Sequence, residues 1–129
     1  AIDYSAVMQA LKRVEGYKTH FLIPVKGDKL LPVSVDMILF FYIADGNVKA
    51  VMTDGKEYLF TQTLDELADS LDPALFFRIN RQYLISRKAV QDIDLWFNGR
   101  LAVNLIVPTL ERILVSKARV PDFKTWFTS

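Results

Sequence analysis

Short apolar runs separated by glycine-containing turns constrain this chain more than any other feature. Between residues 26 and 55 the pattern breaks three times, at Lys26-Gly27-Asp28-Lys29, at Asp45-Gly46-Asn47 and at Asp54-Gly55. Each break carries the glycine, asparagine or aspartate that supplies the positive φ of a tight hairpin. Runs joined so closely predict an antiparallel meander and exclude βαβ units, whose crossovers need a dozen or more residues. The strands expected are HFLIPV and KLLPVSV around the first break, then Met37–Ile43, Val48–Met52 and Glu57–Phe60. Pro24 and Pro32 bring no N–H to a ladder, so they mark strand ends or a sheet edge.

Helical spacing is confined to short stretches. Val7, Leu11 and Val14 recur on one face of residues 3–14, Asp3 or Ser5 can cap the start and Gly16 closes it. Residues 1–19 therefore read as a linker helix. Thr63-Leu64-Asp65-Glu66 is a capping box, in which the Thr63 hydroxyl and the Glu66 carboxylate each bond the other residue's backbone N–H. Leu64, Leu67, Ala68 and Leu71 follow on one face, and Asp72-Pro73 ends that helix. The rest reads LFFRINRQYLIS, RKAVQDIDLWF, RLAVNLIV and RILVS, with the hairpin dipeptide Asn98-Gly99 between the second and third. Phe123, Trp126 and Phe127 suggest a closing turn of helix. The class is mainly β with one or two small helices.

At 129 residues the chain suffices for one domain. It contains no cysteine, hence no disulfide, thiolate metal site or cysteine nucleophile. The one histidine, His20, would leave a metal centre to carboxylates alone. No Gly-rich phosphate loop or nucleophile elbow is present. Asp92 and Asp94 share a strand face and mimic a carboxylate pair, but a solvent face opposite Ile93 and Leu95 is by far the better account of them. An enzyme is not expected, nor is a cofactor. The longest apolar run, Met37–Ala44, is far below the ~18 residues a membrane span needs, and the N-terminus lacks a signal-peptide pattern. A cytoplasmic protein is the expectation. The net charge of +1 hides a split: residues 1–75 hold seven Lys/Arg against eleven Asp/Glu, while residues 76–129 hold nine against four. Clustered cations of this kind suit a polyanion, although a solvated basic face is the simpler account.

Residues 76–86 stand apart. Strand alternation would put Arg81 among Phe77, Ile79, Tyr83 and Ile85, so the chain is expected to turn or bulge near Asn80-Arg81 and expose both side chains. Arginine forks onto guanine O6/N7 and asparagine onto adenine N6/N7, which makes this pair a candidate base reader. A polar loop with a stabilising arginine is the alternative.

Three blocks, LFFRINRQYLISRKAVQDI, NGRLAVNL and RILVSKARVPDF, resemble the LytTR family of DNA-binding domains. The family's central signature runs roughly F-x-R-x-H-x-S-Y-L-V-N-x-x-x-I, matched here by Phe76 or Phe77, Arg78, Asn80, Gln82, Tyr83, Leu84, Ile85, Ser86 and Val90. ILFFYIADGNVKAVMTDGKEYLF, TLDELADSL and VSKAR are similar to further blocks, so the likeness covers about residues 20–127. Four departures stand out: the family's His, Ser and Asn are Asn80, Gln82 and Ser86, and its VSR arginine is Lys117, with Arg119 two residues on. Lysine holds a phosphate but does not fork as arginine does.

The resemblance implies that residues 20–129 form an elongated β-β-β sandwich of antiparallel sheets that inserts loops into successive major grooves of DNA. Carried over by position, the contact loops are 46–49, 78–81 and 116–119. Asn47, Asn80 and Arg81 are then assigned to base edges, and Lys49, Arg78, Lys117 and Arg119 to phosphates. The implied partners are double-stranded DNA with promoter direct repeats, an upstream receiver domain and its sensor histidine kinase; dimerisation on those repeats stays open. A protein-interaction or sensory β module that kept the fold without specific DNA binding is the alternative.

Overall fold

Each glycine turn read from the sequence closes an antiparallel pair. The computed structural model describes residues 16–129, so the helix expected over residues 3–14 lies outside the described residues. Strands β1 (His20–Val25) and β2 (Lys29–Ser34) form a two-stranded sheet. Pro24 and Pro32 both lie within it, tolerable because a two-stranded sheet is all edge. A five-stranded sheet follows, built from β3 (Ile38–Ala44), β4 (Asn47–Met52), β5 (Glu57–Phe60), β6 (Phe76–Arg78) and β7 (Tyr83–Ser86). Its spatial order is β5-β4-β3-β7-β6. Strands β8 (Val90–Leu95), β9 (Leu101–Leu105) and β10 (Ile113–Val115) make a third sheet with β9 in the middle. All pairings are antiparallel. The apolar run begins one residue later than expected, because Val35–Met37 form a 3₁₀ turn capped by the Ser34 hydroxyl.

The central sheet is covered on both faces, which is why β3 reads as an unbroken apolar run rather than an alternating one. Ile38, Phe41, Ala50 and Leu84 face one core, filled by Phe21, Ile23 and Val33 of the first sheet and by α1 (Leu64–Ser70). Leu39, Phe40, Tyr42, Tyr83 and Ile85 face the other, closed by Leu101, Val103 and Val115 and by Phe123 and Trp126 of α2 (Val120–Thr128). A bulge between Ile38 and Phe40 lets Leu39 and Phe40 enter the same core. The result is a three-layered β-β-β sandwich with two α-helices among the described residues. Among the described residues no helix is long and apolar enough to cross a membrane.

The capping box forms as read. Thr63 Oγ1 accepts from Glu66 N at 3.1 Å, and Thr63 N donates to Glu66 Oε1 at 3.5 Å. Thr63→Ala is expected to cost about 1 kcal/mol, seen as a melting temperature lower by about 3–5 °C.

Candidate nucleic-acid interface

Antiparallel pairing brings the end of β3 and the starts of β4 and β7 to one end of the central sheet. Ala44 pairs with Asn47, and Tyr42 with Tyr83. Beyond that pair, Ile43 N donates to Gln82 O at 3.0 Å. The β3–β4 turn and the β6–β7 loop (residues 79–82) therefore lie side by side. Asp45 (φ 52°) and Gly46 (φ 76°) are both left-handed, as a two-residue hairpin turn requires. Asn47 is exposed, with Nδ2 donating to Asp45 O at 3.3 Å. Lys49 is half-buried, paired across the strands with Tyr42 and Leu59.

The β6–β7 loop is held from within. Ile79 is fully buried and anchors it in the second core. Asn80 Oδ1 accepts from Gln82 N at 2.8 Å and Tyr83 N at 3.1 Å, while Nδ2 donates to Leu114 O at 3.2 Å. The Arg78 guanidinium fills the turn, with Nε donating to Asn80 O and Nη2 to Arg81 O, both at 2.8 Å. Its Nη1 pairs with the Asp65 carboxylate of α1 at 2.5 Å. From the other side Arg119 Nη1 donates to the carbonyl oxygens of Arg78 and Ile79, and its guanidinium lies 4.7 Å over the Phe77 ring.

These bonds redistribute the residues singled out from the sequence. The chain does turn at Asn80-Arg81, and Arg81 is exposed with no side-chain hydrogen bond among the described residues. Asn80 departs from expectation: it is half-buried, and both ends of its amide are taken by backbone. An asparagine two residues before a free N–H bonds its own backbone readily, which competes with outward presentation. Arg78 and Arg119 are likewise committed to the loop. Ser86, where the resemblance has asparagine, is buried and donates to Leu39 O at 2.7 Å, tying β7 to β3. Asp92 and Asp94 both accept from Asn104 Nδ2, at 2.6 and 2.8 Å, which occupies the carboxylate pair on the exposed face of the third sheet.

Residues 116–119 reach this end through Arg119 and through the Asn80–Leu114 bond. The β8–β9 hairpin joins them, since a methyl added at Gly99 would sit 3.1 Å from the Lys117 Cδ. A groove of about 530 Å³ opens between these pieces, lined by Arg78, Asn80, Arg81, Arg100, Ser116 and Arg119. Arg100 was missed in the sequence; its one signal was its place just after Asn98-Gly99. Behind the rim, burial pushes the Tyr42 hydroxyl up to about 12, and the hydrogen bond to Glu57 adds to the effect. Burial also raises Tyr83, with the Glu111 charge adding. Both rings stay neutral near pH 7, so the charge of this edge comes from Arg81, Arg100 and Lys117 set against Asp45, with Asp65 already paired to Arg78.

A profile of LytTr DNA-binding domains matches residues 28–128. The sensory transduction protein LytT of Enterococcus faecalis (strain ATCC 700802 / V583) is 26% identical over 102 residues, covering 79% of this chain and 41% of that relative. The transcriptional regulatory protein LytR of Staphylococcus aureus (strain MW2) is 30% identical over 77 residues, covering 60% of this chain and 30% of that relative. The chain thus spans less than half the length of these two relatives. Among solved structures, the LytTr DNA-binding domain of a Bacillus cereus response regulator superposes with a TM-score of 0.71 at 15% identity, covering 87% of this chain and 99% of that one.

Proposed function

The chain belongs to the LytTr DNA-binding domain family, and from that premise we propose that it binds double-stranded DNA sequence-specifically through this loop edge. Its proposed place is the output end of a cytoplasmic two-component response regulator, behind a receiver domain that a sensor histidine kinase phosphorylates. The observation that carries the reading is the convergence of the β3–β4 turn, the β6–β7 loop, residues 116–119 and the β8–β9 tip on one edge rich in cations. Loops so placed can follow a groove together, whereas tips on opposite poles cannot. Arg81 takes the base edge, with Asn47 beside it. Lys49, Lys117 and Arg100 take phosphates. Arg78, Asn80 and Arg119 hold the loop in shape, and their cationic members add to the field.

Selection of duplexes from a random library, followed by titration across salt, tests this. Lys117→Ala is expected to weaken binding to every duplex alike and to lower the magnitude of the log–log salt slope by about 0.9. A sequence-dependent loss would instead make Lys117 a base reader. The inward commitment of Arg78, Asn80 and Arg119 favours a second reading, a protein-interaction module. Absence of salt-dependent duplex binding by the whole chain would decide for it.

A further inference from the structure

The β8–β9 tip carries apolar surface that the core does not use. Leu95 is 88% exposed and Phe97 70% exposed. Trp96 stands edge-on to Phe97 at 5.2 Å, and the Arg112 guanidinium lies 4.1 Å over the Trp96 ring. Arg100 Nε donates to Phe97 O at 3.0 Å. Asn98 (φ 61°) and Gly99 (φ 75°) reverse the chain directly after Phe97, and the Lys117 stem packs on Gly99. An apolar point is thus held among Arg100, Arg112 and Lys117, and Arg100 makes it continuous with the groove that Arg81 lines.

We propose that Phe97, flanked by Leu95, is an apolar wedge that enters the DNA duplex beside the basic rim and opens a base step there. The inference rests on the DNA-binding reading above. Cations on either side of the tip bring it against phosphates. The apolar surfaces a duplex then offers are sugar edges, thymine methyls and the faces of stacked bases, and an aromatic or leucine side chain flanked by cations is the usual tool for the last. A second copy of the chain suits the tip less well. A twofold contact would set the same three cations against one another.

The test uses the whole chain and a duplex selected by it, with dissociation constants measured across salt and the DNA bend followed by energy transfer between end labels. Phe97→Ala is expected to raise Kd about tenfold, to leave the salt slope unchanged and to abolish the bend. Phe97→Leu should retain most of both. Because the ring is exposed, the melting temperature of either variant should match the parent's. Unchanged affinity and bend in Phe97→Ala, with the parent binding normally, overturn the wedge alone. A DNA-free dimer that Phe97→Ala dissociates, seen by sedimentation, also overturns it. A parent that binds no duplex overturns both the wedge and the reading beneath it.

Discussion

Arg81→Ala is expected to lower affinity for the selected duplex by about 1–3 kcal/mol, roughly 5- to 150-fold, with the loss concentrated at one base pair. The reason lies in how the loop divides its work. Arg78 spends its donors on Asn80 O, Arg81 O and Asp65, and Arg119 spends its own on Arg78 O and Ile79 O. Arg81 is the arginine of this loop whose guanidinium faces water, so it is the one able to fork onto a guanine edge. Arg81→Lys separates charge from geometry. It keeps the cation and should hold random-duplex affinity near the parent's, while losing most of the discrimination. Equal losses on selected and random duplexes would remove Arg81 from the base-reading role.

Asn80→Ala should act on the fold before it acts on DNA. The substitution removes three hydrogen bonds and strands the Tyr83 N–H and the Leu114 carbonyl at a partly buried junction between two sheets. A cost of about 2–4 kcal/mol follows, or a melting temperature lower by on the order of 10 °C, measured without DNA. Duplex binding should fall as well, because the loop that carries Arg81 loses its frame. An asparagine standing free in a groove behaves differently. Its truncation would leave thermal stability within about 0.5 kcal/mol and cost only affinity. The DNA-free melting curve therefore distinguishes the two roles without reference to any operator.

Much of the architecture was legible because its causes are local. Lys26-Gly27-Asp28-Lys29, Asp45-Gly46 and Asn98-Gly99 carry the backbone conformations that reverse a strand, and the strands flank them as expected. Thr63 and Glu66 cap α1 with atoms three residues apart. Strand alternation also located the turn after β6, since Arg81 has no place among the apolar partners of a continuous strand. The site was legible only in part. Arg81 looked like a loop residue and is one. Asn80 looked the same, yet its amide is drawn inward by Leu114, 34 residues along the chain. Arg100 and Phe97 carried no sign of their neighbours beyond a hairpin dipeptide.

What the amino-acid order determined by itself was the set of hairpins, the capped helix, the poverty of catalytic side chains and the concentration of cations after residue 75. Those follow from φ preferences, side-chain period and residue counts, each a property of a few neighbouring residues. What only the tertiary structure decided was which loops share an edge and which of their cations face water. Both depend on β7 pairing with β3 rather than on its own hairpin alone, and on the third sheet setting residues 114–119 against that loop. Such pairings join residues 34 to 45 positions apart, and their energy resides in two buried cores that no short stretch of sequence contains.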